Sequence, residues 1–219
     1  MRSSIRWLTM LQAALLSTGA AQTPVPAART SWSISASIGT STFNGAAAGT
    51  AVAGEQLEFA PYRPTMLGIA VTYGRERLRL GLLARHGDAG IGLRGVPLSP
   101  EGPSPQGVLI IVEGAYTITS VAASASTCLA RVRGGPALRS SVGMSMERWT
   151  APGTPARAIV GPQAGLSLEI TLSGAFAATL EGELGFTPKS PFKVEDLPEG
   201  FRERSTWRRT LMVGLSWRL

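Results

Sequence analysis

The chain has 219 residues, 21 of them Lys or Arg and 14 Asp or Glu, for a net charge of +7, with one cysteine and one histidine. The lone Cys128 excludes an intramolecular disulfide, and one histidine with one cysteine argues against a zinc site. The basic residues are dispersed rather than run together, which argues against nucleic acid as a partner.

The chain begins with Arg2 and Arg6, an apolar run from Trp7 to Leu16, and the small residues Gly19, Ala20 and Ala21. This is the three-part pattern of a secretory signal peptide, with cleavage expected after Ala21. The run is about half the ~20 apolar residues that a membrane-spanning helix needs. Residues 22–30 read as a short linker and 31–219 as one domain. Removal of Arg2 and Arg6 leaves 19 basic against 14 acidic residues, so an anionic membrane surface or lipopolysaccharide is the natural counter-charge.

Beyond the linker, apolar residues recur with period two, the signature of strands with one apolar face. Trp32, Ile34, Ala36 and Ile38 alternate with Ser33, Ser35, Ser37 and Gly39 in the first strand. Leu67, Ile69, Val71 and Tyr73 mark the second, and Leu78, Leu80, Leu82 and Ala84 the third. The fourth, GVLIIVEGAYTIT, takes its phase from Glu113, which sets Val108, Ile110, Val112, Tyr116 and Ile118 on the opposite face. TCLARVRGGPAL reads as the fifth strand, with Arg131 and Arg133 on its polar face. The sixth carries Val160, Ala164, Leu166, Leu168 and Ile170, and the seventh Phe176, Ala178, Leu180, Leu184 and Phe186 against Glu181 and Glu183. The eighth, TWRRTLMVGLSWRL, has Trp207 and Trp217 near the two ends of its apolar row.

The links alternate in length. Short ones are expected at 74–77, 120–126 and 172–174, and long ones, rich in Gly, Pro, Ala and charge, at 43–64, 88–106, 139–157 and 188–204. In hydrocarbon every backbone N–H and C=O must be paired within the protein, so an exported chain without apolar helices spans a bilayer only as a closed barrel. Strands with one apolar face, short turns at one end and long loops at the other make the expected fold class an all-β, eight-stranded antiparallel up-and-down transmembrane barrel. In strand count, loop alternation and C-terminal strand, the chain resembles the small eight-stranded outer-membrane barrels of bacteria, of the OmpA-barrel and OmpX type. The resemblance covers residues 31–219 and implies a place in the bacterial outer membrane, with lipid, lipopolysaccharide and the barrel-assembly machinery as partners and a monomeric state. Family members commonly end on an aromatic residue, whereas this chain ends Trp217, Arg218, Leu219.

The inward face holds the organised chemistry. An eight-stranded barrel is just wide enough for its own side chains, and buried charges must be paired. Glu113, Arg131, Arg133, Glu181 and Glu183 are therefore expected to meet in mid-lumen as a structural ion cluster. No catalytic residue, cofactor or metal is expected. The function read from this is a non-enzymatic envelope protein, structural or surface-interacting through its outer loops. One alternative is a narrow pore. Another is a lipid-modifying enzyme built on His86 and Asp88, with a loop serine such as Ser99 or Ser104 as nucleophile. Pro136 and Pro162 are expected to mark bulges or the point where strands five and six splay into the third outer loop, and the loop containing Phe192 and Phe201 either to bind a partner or to pack over the barrel mouth.

Overall fold

The computed structural model describes residues 30–50, 56–96, 109–132, 135–193, 195, 197 and 199–219. The expected signal peptide, most of the linker, Arg133, Ser99 and Ser104 lie outside them. Eight strands follow in chain order: β1 (Ser31–Thr50), β2 (Gln56–Gly74), β3 (Leu78–Val96), β4 (Leu109–Arg131), β5 (Ala137–Thr150), β6 (Arg157–Thr171), β7 (Phe176–Thr187) and β8 (Arg202–Arg218). Each pairs antiparallel with the next, and β1 pairs with β8, so the sheet closes on itself.

The closing seam runs from Ser33 opposite Arg218 to Ala48 opposite Arg202. Its tightest point is at Gly39, where a Cβ would stand 2.0 Å from the Leu211 carbonyl oxygen. Only a residue without a side chain admits that approach.

Period two puts the apolar rows outside. Leu82, Ile69 and Leu166 are 63%, 62% and 53% exposed, and the same exposure recurs on Ile38, Val142, Leu180 and Val213 around the ring. An apolar band this continuous would be untenable in water and is the surface a bilayer requires. Aromatic contacts mark its two borders: Trp32 against Tyr73 at 4.6 Å and Trp217 stacked on Phe176 at 6.3 Å at one end, Trp207 against Phe186 at 4.8 Å at the other. Trp207 and Trp217 thus lie in the two girdles where interfacial aromatics belong. Past the band the outward rows turn polar, at Thr42 on β1, Arg63 on β2, His86 and Asp88 on β3, Arg148 on β5 and Arg209 on β8.

Several expectations are corrected. The stretch 120–126 is not a turn: β4 continues through it to Arg131, and the turn falls after Arg131. The segment 139–157 is not a loop, because most of it is β5, with Val142, Met144 and Met146 outward. Tyr116 and Ile118 point inward rather than outward, Ile118 being 1% exposed. Gly114, at φ +63°, lies where the pairing of β3 with β4 shifts between Ala89 and Ile91; residues 113–115 stand there opposite Gly90 alone, an excess of two that keeps Val112, opposite Ile91, on the same face as Tyr116. The long links are also shorter than expected at the β1–β2 and β5–β6 ends, since those strands run on past the apolar band. Pro136 precedes β5, and Pro162 sits outward on β6 opposite Met144 with the ladder in register on both sides, so neither forms a bulge within a strand.

An arginine on the lipid face near the middle of the band costs roughly 2–4 kcal/mol on such barrels. Leu82→Arg or Leu166→Arg should lower stability by about that amount in denaturant titrations of the bilayer-folded protein, while Glu195→Ala in the outer loop should leave it unchanged.

Candidate functional site: the ion-filled lumen and its lid

Inward positions hold Ser, Gly, Ala and Thr along most of the wall, and the space they leave is crossed by arginine and glutamate from opposite strands. Two ionic layers result. In the layer nearer the short turns, Arg79 of β3 donates from Nη1 to Glu169 Oε2 of β6 at 2.8 Å, and Arg218 of β8 bonds the other carboxylate oxygen. Arg139 of β5 lies nearby and donates to the Glu76 carbonyl at 2.8 Å.

The second layer is more deeply buried. Arg85 of β3 forms two parallel hydrogen bonds to Glu183 of β7, at 2.8 and 2.9 Å, with both side chains nearly inaccessible. Arg208 of β8 donates to the same Glu183 Oε1 at 2.6 Å and also bonds Glu147 of β5. Glu147 in turn accepts from the Trp149 indole Nε1 at 3.0 Å. Paired planar donors and acceptors give such a network a definite geometry. It spans the lumen because β3 and β7 stand opposite each other in a ring of eight.

Apolar side chains cover the second layer. Met66, Ile118, Trp149, Ile159 and Met212 form one buried cluster, with Phe43 and Tyr116 packed against it. Above it Phe192, 1% exposed, packs with Ala46 and Ala47, and its ring stands 5.0 Å from that of Phe59 and 5.5 Å from that of Tyr116. The segment between β7 and β8 is held there by Arg157, which bonds Glu203 at 2.8 and 2.9 Å and the Phe192 carbonyl. Of the two roles open to this loop, it packs over the barrel mouth.

The structure places the expected cluster residues differently. Glu183 is at its centre. Glu181 points inward on the same strand but makes no ion pair among the described residues. Glu113 is exposed near the outer end of β4 and takes no part. Arg131 pairs with Glu76 beside the short turns, far from mid-lumen, because β4 continues to it from the outer end. Arg133 lies outside the described residues. The partners missed from sequence are Arg85 and Arg208, which the period-two alternation of β3 and β8 sets on the inward face, and Glu147, Trp149 and Arg139, hidden in the segment read as a loop. The alternation of Val142, Met144 and Met146 with Gly143, Ser145 and Glu147 is the signal that identifies them.

His86 and Asp88 sit on the outer wall and are tied separately to β4: His86 Nδ1 meets Thr119 Oγ1 at 3.2 Å, and Asp88 accepts from Thr117 Oγ1 at 3.0 Å. They do not form a base with its orienting carboxylate. Among the described residues no group of three or more His, Cys, Asp or Glu could hold a metal ion.

The fold is that of the small bacterial outer-membrane barrels. Neisserial surface protein A superposes with a TM-score of 0.57 at 10% identity, covering 87% of this chain and 99% of that one. The outer-membrane protein OprG from Pseudomonas aeruginosa superposes with a TM-score of 0.53 at 9% identity, covering 88% of this chain and 97% of that one. No family model matches the sequence, and no curated protein matches it at a significant level.

Removing one partner of a buried ion pair strands the other charge and costs on the order of 3–5 kcal/mol. Glu183→Ala should therefore destabilise the folded barrel by about that much, and Glu113→Ala by close to nothing, in parallel urea titrations followed by tryptophan fluorescence.

Proposed function

We propose that this chain is a non-enzymatic, monomeric protein of the bacterial outer membrane, with a side-chain-filled lumen and a role in envelope structure or surface interaction. The observation that carries the reading is the pair of cross-lumen ionic layers capped by Trp149, Tyr116 and Phe192 inside a wall whose outside is apolar. Charged side chains that satisfy one another across the lumen brace the wall and leave little room for solute. The outer ends of the strands, which rise beyond the apolar band, carry the surface that faces outward from the cell. Residues 1–21 serve as the export signal in this reading and are removed before assembly.

The partners fit the surface. Arg63, His86 and Arg209 face outward where the apolar band ends, the level of the anionic headgroups of lipid and lipopolysaccharide. The C-terminal strand β8 is the natural substrate of the barrel-assembly machinery. An enzymatic role has little to rest on, because His86 and Asp88 are each occupied by a threonine of β4.

Planar-bilayer recording tests the filled lumen against a narrow pore. The wild type should show little or no steady conductance, and a large stable conductance would favour the pore. Glu183→Ala, if it folds, should conduct more than the wild type. Cell fractionation should place the protein in the outer-membrane fraction, with different migration of heated and unheated samples on a gel.

A further inference from the structure

The barrel wall has an opening. β1 and β2 pair without interruption from Ser31 opposite Gly74 to Thr40 opposite Thr65, and again from Ala47 opposite Phe59 onward. Between these blocks, residues 41–46 of β1 and 60–64 of β2 have no ladder partners in each other, although β1 stays paired to β8 as far as Gly45 and β2 to β3 as far as Tyr62. Backbone conformation enforces the separation: Gly45 and Ala46 are left-handed at φ +87° and +91°, and Arg63 has φ +27°. Pro61 and Pro64 have no N–H to offer a ladder. A side chain bridges the two strands instead, the Glu58 carboxylate accepting from the Gly45 N–H at 2.7 Å.

The gap encloses a cavity of about 290 Å³, whose walls include Thr42, Asn44, Glu58, Tyr62 and Arg63. Thr42, Asn44 and Arg63 are exposed, so it opens on the outside of the barrel. Arg209 stands directly across from Thr42 in the β1–β8 register and is exposed on the same face, one strand over from the gap and next to the cavity's Thr42 wall. Neither Arg63 nor Arg209 forms an ion pair among the described residues, whereas Arg79, Arg85, Arg157, Arg208 and Arg218 all do. In hydrocarbon an unpaired stretch of strand would be prohibitive. It is tolerated here because it lies just past the apolar band, among polar headgroups that supply hydrogen bonds of their own.

We propose that this gap binds the phosphorylated sugar headgroup of an outer-leaflet amphiphile. Arg63 and Arg209 take the phosphate through charge-assisted hydrogen bonds. Asn44, Thr42 and the Tyr62 ring line a cleft of monosaccharide size. Glu58 lines the same cavity with its carboxylate held by the Gly45 N–H, an acceptor for a sugar hydroxyl. The proposal rests on the outer-membrane reading and deepens it, from general affinity for anionic lipid to one site on the wall.

The test uses full-length mature protein in phosphatidylcholine nanodiscs with or without a phosphorylated glucosamine-disaccharide lipid, bound lipid being counted by native mass spectrometry after release. Folding of each variant is checked first by heat-dependent gel migration, so a failure of the membrane reading is seen separately from a failure of binding. Arg63→Ala with Arg209→Ala should weaken binding about tenfold or more, and Asn44→Trp, which fills the cleft and removes no charge, should do the same. Arg148→Ala, elsewhere at the same border, should bind as the wild type does. The dephosphorylated lipid should bind the wild type no better than the phosphorylated lipid binds the double variant. Tighter binding of the lipid than of free glucosamine 1-phosphate assigns the ligand to the membrane, and the reverse order assigns the site to a soluble sugar phosphate. Wild-type affinity in the double variant, or equal loss with Arg148→Ala, would overturn the proposal.

Discussion

Everything in this molecule follows from the cost of an unpaired backbone amide in hydrocarbon. A strand that enters a bilayer must find a partner on each side, and eight strands satisfy this only when the last pairs with the first. The seam between β1 and β8 is therefore the constraint on which the rest is built. It requires Gly39 to lie against the Leu211 carbonyl, sets the registers that bring Glu183 under Arg85 and Arg208, and leaves an interior just wide enough for side chains to fill.

Once the wall is closed, the lumen has to be filled by polar groups that satisfy one another. Small residues line the wall so that long ones can cross it, and the crossing side chains come from strands far apart in sequence: β3 to β7, β3 to β6, β8 to β5. Buried pairs of this kind add little to stability over an apolar filling, but each is costly to break. Their contribution is to fix which strands face each other. The lid continues the same logic upward, with Trp149 joining the second ionic layer to the aromatic cluster and Arg157 holding Phe192 over it. Relief from the backbone constraint comes only past the apolar band, and it is there that β1 and β2 separate.

Much of this is legible in the sequence, and the parts that are not have physical reasons. The outward rows of β1, β2, β3, β7 and β8 stand out because large apolar residues alternate with Ser, Gly, Arg and Glu. The inward direction of Arg79, Arg85, Glu169, Glu183, Arg208 and Arg218 follows from the same count. The middle of the chain is harder. SVAASAS has the composition of a turn, yet Ser and Ala are also what a narrow lumen and a crowded wall accept, and β4 runs straight through it. In β5 the contrast between faces is weak, because Met and Val alternate with Gly and Ser, and so Glu147 and Arg139 were lost with the strand. In β4 the inward phase read from Glu113 fails because the structure leaves that charge exposed near the strand's outer end, where a charge no longer reports the lumen. Which carboxylate meets which guanidinium depends on the stagger between strands, a property of the closed ring that no single strand records.

The most direct test of closure is a cross-link across the seam. Ala36 and Leu215 are opposite one another in the β1–β8 register, and with Cys128→Ser removing the native thiol, Ala36→Cys with Leu215→Cys should form an intramolecular disulfide in the bilayer-folded protein. Pairing Ala36→Cys with Leu211→Cys, which lies opposite Thr40, should not. A cross-link in the first variant alone is the result the closed barrel predicts. Failure of the first pair to link, or linkage only between separate chains, would contradict it.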